Sequence, residues 1–159
     1  MGITILEDIG LGPVCLDTSV FIYFIEEDPR YIDIVGPIFE AIDIGILSAV
    51  TSGVTLLETL VIPFRNKDRD LALQYEELIS ESRGLRVLNL DRALLRQAAH
   101  LRASYGIKTP DALQLACAKQ EQCTAFVTND RRIAKIPGIK ILQLSDYQEP
   151  LAGEKSSVL

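Results

Sequence analysis

Apolar residues along the chain fall into short unbroken runs and longer stretches with helical spacing, and the two kinds alternate. Val14–Leu16 reads as a buried strand, and Asp17-Thr18-Ser19 supplies helix-start chemistry for Val20–Glu26. Tyr31, Ile34, Val35, Ile38, Phe39 and Ile42 keep helical spacing up to Gly45, with a kink expected at Gly36-Pro37. Ile46–Val50 is a second compact strand. Thr51-Ser52 offers a cap for a helix over Val54–Ile62, which Pro63 should end or bend. Leu71, Leu73, Tyr75, Leu78 and Ile79 carry a further helix to Gly84, so Val54–Gly84 forms a helical hairpin.

The same alternation continues through the second half. Arg86–Leu90 reads as a third strand, and Asp91 caps a helix in which Ala93, Leu94, Ala98 and Leu101 recur until Gly106. Thr109-Pro110-Asp111 is a helix start with a capping hydroxyl, a first-turn proline and an acid at the positive end of the dipole; that helix runs to about Gln122. Ala125–Thr128 is a fourth strand, Arg132–Lys135 a short helical turn and Lys140–Leu144 a fifth strand. Connections this long exclude hairpins and imply an α/β fold: a three-layer sandwich with a mostly parallel central sheet of about five strands. Residues 1–13, rich in glycine, read as an extension; 14–147 form one domain, and 148–159 a flexible tail.

Composition narrows the class. At 159 residues, 48% hydrophobic and 24% charged, the chain suits one globular domain that buries roughly 70% of its unfolded surface. Its longest apolar stretches fall short of the ~20 residues of a membrane span. The N-terminus lacks a signal peptide's basic region, and Leu6 stands where a myristoylation motif wants Ser or Thr, so a cytoplasmic location is expected. Cys15, Cys117 and Cys123 lie in apolar surroundings without CxxC spacing and read as buried free thiols. A net charge of −6 argues against gripping nucleic acid by bulk positive charge, though not against a local basic groove. Arg131 and Arg132 are the candidates for phosphate contact, because they follow Asp130 directly.

Four acids stand out by placement: Asp17 after the first strand, Glu58 inside an apolar helix, Asp111 opening another, and Asp130 after the fourth strand. In an open parallel sheet, ligands bind outside the carboxyl ends of the strands, where side chains distant in sequence converge. Each acid also has a local explanation. Asp17 can be a helix N-cap, Asp111 can complement a helix dipole, Glu58 can close a capping box with Thr55, and Asp130 can serve a turn. Taken together, four such acids would repel one another in a partly dehydrated cleft unless a cation neutralised them, and an all-oxygen set suits Mg²⁺ or Mn²⁺. The single histidine, His100, lies far from these motifs in sequence, which leaves a histidine-based zinc site or a Ser-His-Asp triad without support.

The series Val14-Cys-Leu-Asp17-Thr-Ser-Val-Phe, Leu56-Leu-Glu58-Thr-Leu, Lys108-Thr-Pro-Asp111-Ala-Leu-Gln-Leu-Ala and Phe126-Val-Thr-Asn-Asp130 resembles the PIN-domain ribonucleases, which include VapC-type toxins. Order and spacing match from about residue 14 to 144, although each motif alone occurs widely. The resemblance implies a divalent-metal endoribonuclease in which Asp17, Glu58, Asp111 and Asp130 occupy the four acidic positions and Ser19 and Thr128 the hydroxyl positions that steady the site. It also implies RNA as substrate, a homodimer formed through the Val54–Gly84 hairpin, and a small antitoxin partner if the protein is a toxin. The 13-residue lead and the acidic balance depart from the commonest toxin pattern. Two rivals remain. One is a catalytically silent protein- or RNA-binding module; the other is a phosphatase or receiver-like domain, which would want a second acid near Asp17 where Ser19 stands.

Overall fold

The computed structural model describes residues 4–149. Five parallel strands, β1 (Val14–Leu16), β2 (Ala49–Ser52), β3 (Leu85–Leu88), β4 (Ala125–Thr128) and β5 (Lys140–Gln143), form one sheet in the order β3-β2-β1-β4-β5. Side chains alternate across it. Val14, Leu16, Ala49, Leu85, Ala125 and Val127 enter one core, while Cys15, Val50, Leu88 and Phe126 enter the other. The first core is covered by α1 (Ile5–Ile9), α2 (Thr18–Ile25), α3 (Ile32–Asp43) and α5 (Arg69–Glu81), and the second by α6 (Arg92–Tyr105) and α7 (Thr109–Gln120). This is the expected three-layer sandwich. Between the layers, α4 (Gly53–Arg65) leaves β2 and touches α2, α5 and α7. The three cysteines are buried and free, and none of the described helices is long and apolar enough to cross a membrane.

Several local expectations give way to tertiary structure. The lead before β1 carries α1, capped by Thr4, and its Ile5 and Ile9 are buried in the first core. Tyr147 on the final 3₁₀ turn (Leu144–Tyr147) donates to the Asp8 carboxylate, and Lys140 donates to the Asp8 carbonyl (3.2 Å), so the lead is fastened to the domain. The second strand begins at Ala49 because Ile46 and Leu47 still serve the end of α3: their N–H groups donate to the Ala41 carbonyl, and Gly45 takes φ +81°. The third strand starts at Leu85 and ends at Leu88, with Asn89 and Leu90 in the loop before α6. Pro37 and Pro63 both lie inside helices; Pro63 stands in the last turn of α4, which closes two residues later at Arg65. Lys108, not Thr109, is the N-cap of α7. Arg132–Lys135 is not helical: the Asp130 carboxylate turns the chain by accepting the Arg132 N–H, and buried Ile133 and Ile136 then anchor an irregular segment ahead of Pro137. The expected tail lies outside the described residues from position 150 onward.

The strand order reverses direction at β1, which lies between β2 and β4. A crevice at the carboxyl end of such a switch point is the standard ligand position of an open α/β sheet.

Candidate active site

Asp17 is the first residue past β1, where the chain leaves the sheet to start α2. Its own N–H still donates to the Val127 carbonyl (2.9 Å), extending the ladder with β4 by one bond. The carboxylate is held at both oxygens: Oδ1 accepts the Thr18 N–H (2.9 Å) and Oδ2 accepts the Thr128 hydroxyl (2.7 Å). Asp17 is therefore the N-cap of α2 and a wall of the cleft at once. Thr128, fully buried at the end of β4, uses its hydroxyl twice, since it also accepts the Asp130 N–H (3.0 Å). One hydroxyl thus ties together the two loops that carry Asp17 and Asp130.

Glu58 does not close a capping box. Ser52 is the N-cap of α4, and Thr55 is buried in a different network. Glu58 instead accepts the Thr18 hydroxyl (3.2 Å) from α2. Beneath that contact, proton counting fixes the direction of the Thr51–Thr55 bond. Thr51 donates to the Leu16 carbonyl (2.9 Å), so Thr55 must donate to Thr51 (2.7 Å). Thr55 in turn accepts from the Gln114 amide (2.7 Å), and Gln114 Oε1 accepts the Ser52 hydroxyl (2.8 Å). Thr18 lies 3.4 Å from Thr55 and donates to Glu58 above this chain. Asp111 sits in the first turn of α7, and among the described residues its carboxylate has no hydrogen-bond or ion-pair partner.

The structure brings Asp17, Glu58, Asp111 and Asp130 to one cleft of about 420 Å³, together with Ser19, Arg132, Gln114 and Asn129. Ser19 Oγ is buried there with no hydrogen-bond partner. Thr128 stands behind Asp17. Arg131 does not line the cleft; it donates to Ser145 (2.7 Å) and pairs with Asp146. Arg132 does line it, and forks onto Asp130 through Nε to Oδ1 (3.0 Å) and Nη2 to Oδ2 (3.2 Å). Residue patterns alone pass over Thr18, Thr51, Thr55 and Gln114. The available signal was Gln114, a polar residue within the apolar run of α7, the same anomaly that marks Glu58 in α4.

Electrostatics separate the four acids. Loss of solvent raises the Asp17 carboxyl above its ordinary value; the bonds from Thr128 and Thr18 work against that, and Asp130 adds to it. Glu58 is raised by partial desolvation, lowered by the Thr18 bond, and raised further by the charges of Asp17 and Asp111. Asp111 is raised by desolvation, Asp17 and Asp130, with Arg132 and Lys108 opposing. Asp130 is the exception, held below its ordinary value by Arg132. Among the described residues, no three acidic, histidine or cysteine side chains stand close enough together to grip one ion as they are placed. The oxygens available, with three acids whose charge is poorly accommodated and an unpartnered buried hydroxyl, fit a hard cation chemically. Gripping one requires the carboxylates to draw together.

The raised carboxyls make a signed stability prediction. A raised folded-state pKa contributes stability that is complete below the ordinary value and lost as pH rises through the raised one. Asp17→Asn, which stays neutral, is expected to be more stable than the wild type at pH 7 in the presence of EDTA. The gap should close as pH falls toward the ordinary value of 3.8. Urea denaturation of both proteins at several pH values checks this; a gap that widens in acid would contradict the burial of Asp17.

The profile of the PIN domain family matches residues 14–139. No curated protein matches the chain. Among solved structures it is similar to VapBC2 from Rickettsia felis bound to a promoter DNA fragment, with TM-score 0.64, 17% identity and coverage of 82% of this chain and 97% of that one. It is also similar to Mycobacterium tuberculosis VapC20, a sarcin-ricin-loop-cleaving toxin, with TM-score 0.62, 17% identity and coverage of 76% and 92%. A third is DNA-bound VapBC from Salmonella typhimurium, with TM-score 0.58, 21% identity and coverage of 82% and 97%. At such identities these structures speak for the fold, and the family match over most of the domain, with its acids gathered in the cleft, says more: the chain belongs to the PIN domain family.

Proposed function

We propose that the protein is a divalent-metal-dependent endoribonuclease, the toxin of a toxin–antitoxin pair. The observation that carries this reading is the gathering of Asp17, Glu58, Asp111 and Asp130 in one cleft, with three of them raised by burial and mutual repulsion. Family membership and the toxin structures that share the fold support it. Asp17 and Asp130 are the proposed direct ligands of Mg²⁺ or Mn²⁺, with Asp111 and Glu58 completing the shell directly or through water. Ser19 Oγ is a further oxygen at the floor of the cleft. When bound, the ion would offset phosphate charge and acidify a water.

The remaining chemistry belongs to the protein. Thr128 and the Thr18 N–H hold Asp17 in one orientation, so a ligand there needs little reordering. Glu58 is the proposed group to orient the attacking water and accept its proton, a reading supported by its tether to the Thr18 hydroxyl and its raised pKa. Arg132 supplies the cleft's positive charge toward a substrate phosphate; Arg131, paired with Asp146, is turned elsewhere. For assembly we infer a homodimer built on the α4–α5 hairpin, which exposes Leu57, Ile62, Phe64 and Leu73, and a small antitoxin as the second partner.

Asp17→Asn and Asp111→Asn, each folded by circular dichroism, are expected to lose at least about 100-fold in Mg²⁺-dependent cleavage of single-stranded RNA. Millimolar Mn²⁺ should raise the melting temperature of the wild type and not of Asp17→Asn. Undiminished cleavage by either variant would overturn the assignment. Light scattering of the purified protein is expected to give the mass of a dimer, and Phe64→Glu that of a monomer; a monomeric wild type would remove the dimer from the proposal.

A further inference from the structure

We propose that Arg132 is a built-in counter-ion for Asp130 that a divalent cation displaces, and that the freed guanidinium then takes a phosphate of the RNA. The inference rests on the metal-dependent reading above and adds an order of events to it. Arg132 is the one basic side chain lining the cleft among the described residues. Its fork covers both oxygens of Asp130, so the arginine and a cation compete for the same carboxylate.

Three features make the pairing exchangeable. The Arg132 side chain is 78% exposed and Asp130 28%, and ion pairs this open to water are weak and easily traded. Asp130 is also anchored without the guanidinium: Oδ1 accepts the Arg132 N–H (2.9 Å), its own N–H donates to Thr128, and its carbonyl accepts from Gln143 (2.9 Å). Release of the guanidinium therefore leaves the carboxylate in position. Finally, the neighbouring Arg131 does not line the cleft and lies instead against Ser145 and Asp146, so Arg132 is the arginine in reach of the site.

Charge sets the direction of the exchange. With the acids uncompensated, the guanidinium is drawn to the carboxylate two residues before it, Asp130. A doubly charged ion among Asp17, Asp111 and Asp130 offsets two of their charges and takes the Asp130 oxygens that the fork covers, which weakens the hold on the guanidinium and frees it toward the cleft mouth. There the planar fork that matched a carboxylate matches a phosphate equally well. Metal and RNA binding are thereby coupled through one side chain.

Arg132→Gln separates these roles by sign. In the absence of RNA, the variant is expected to bind Mn²⁺ about fivefold more tightly than the wild type, read from the free-ion signal in electron paramagnetic resonance. It should bind fluorescein-labelled single-stranded RNA about tenfold more weakly in saturating Ca²⁺, with RNA integrity checked by gel. Arg132→Lys, which keeps the charge and loses the fork, should fall between on both measures. Equal or weaker Mn²⁺ binding by folded Arg132→Gln, or unchanged RNA affinity, overturns the exchange. If Mn²⁺ binds both proteins equally, only the exchange fails; if it binds neither, the metal-dependent reading fails as well.

Discussion

Val14, Cys15 and Leu16 lie opposite Ala125, Phe126 and Val127, and this three-residue parallel ladder decides where the charged groups of the molecule meet. Both strands are wholly buried, so the chain can place a carboxylate only where each strand runs out, and the two ends lie within one residue of each other. The Thr128 hydroxyl converts that coincidence into a fixed geometry by donating to Asp17 and accepting from the Asp130 N–H. Slipping β1 by one residue against β4 would turn Leu16 into the opposite core and put the two acids out of step.

Holding acids at this edge costs stability, and the surrounding structure shows how the cost is contained. Asp17 receives a helix N-terminal N–H and a hydroxyl, Asp130 an arginine, and Glu58 a hydroxyl. The hydroxyl–amide chain of Ser52, Thr51, Thr55 and Gln114 is buried throughout, where an unpaired polar group costs about 1–3 kcal/mol. All four are paired in one consistent set of donors and acceptors. That consistency joins β2, α4 and α7 behind the cleft. Asp111 alone carries its charge without a local partner, which marks it as the acid with most to gain from a cation.

Much of this is legible in the amino-acid sequence, because the informative signals are local. Strand ends, caps and periodicity mark Asp17, Asp111 and Asp130, and an acid in an apolar helix marks Glu58. Other features depend on contacts between distant residues. The helix Ile5–Ile9 is too short to display a period and owes its order to the core it enters. The start of β2 is decided by how α3 ends, not by the apolar character of Ile46. Gln114 stands out as polar, but its partners Ser52 and Thr55 lie some sixty residues away. Adjacent arginines with identical chemistry, Arg131 and Arg132, are separated only by the side chains that surround them: Asp146 for one and the cleft for the other.

The central claim is that the acids at the carboxyl end of β1 and β4 form one site for a hard divalent cation. Its most direct test is anomalous diffraction from crystals of the protein grown or soaked with Mn²⁺. The predicted result is an anomalous peak between Asp17, Asp111 and Asp130, with Arg132 turned away from Asp130. Bound Mn²⁺ found only outside this cleft, or its absence from a cleft open to solvent, would contradict it.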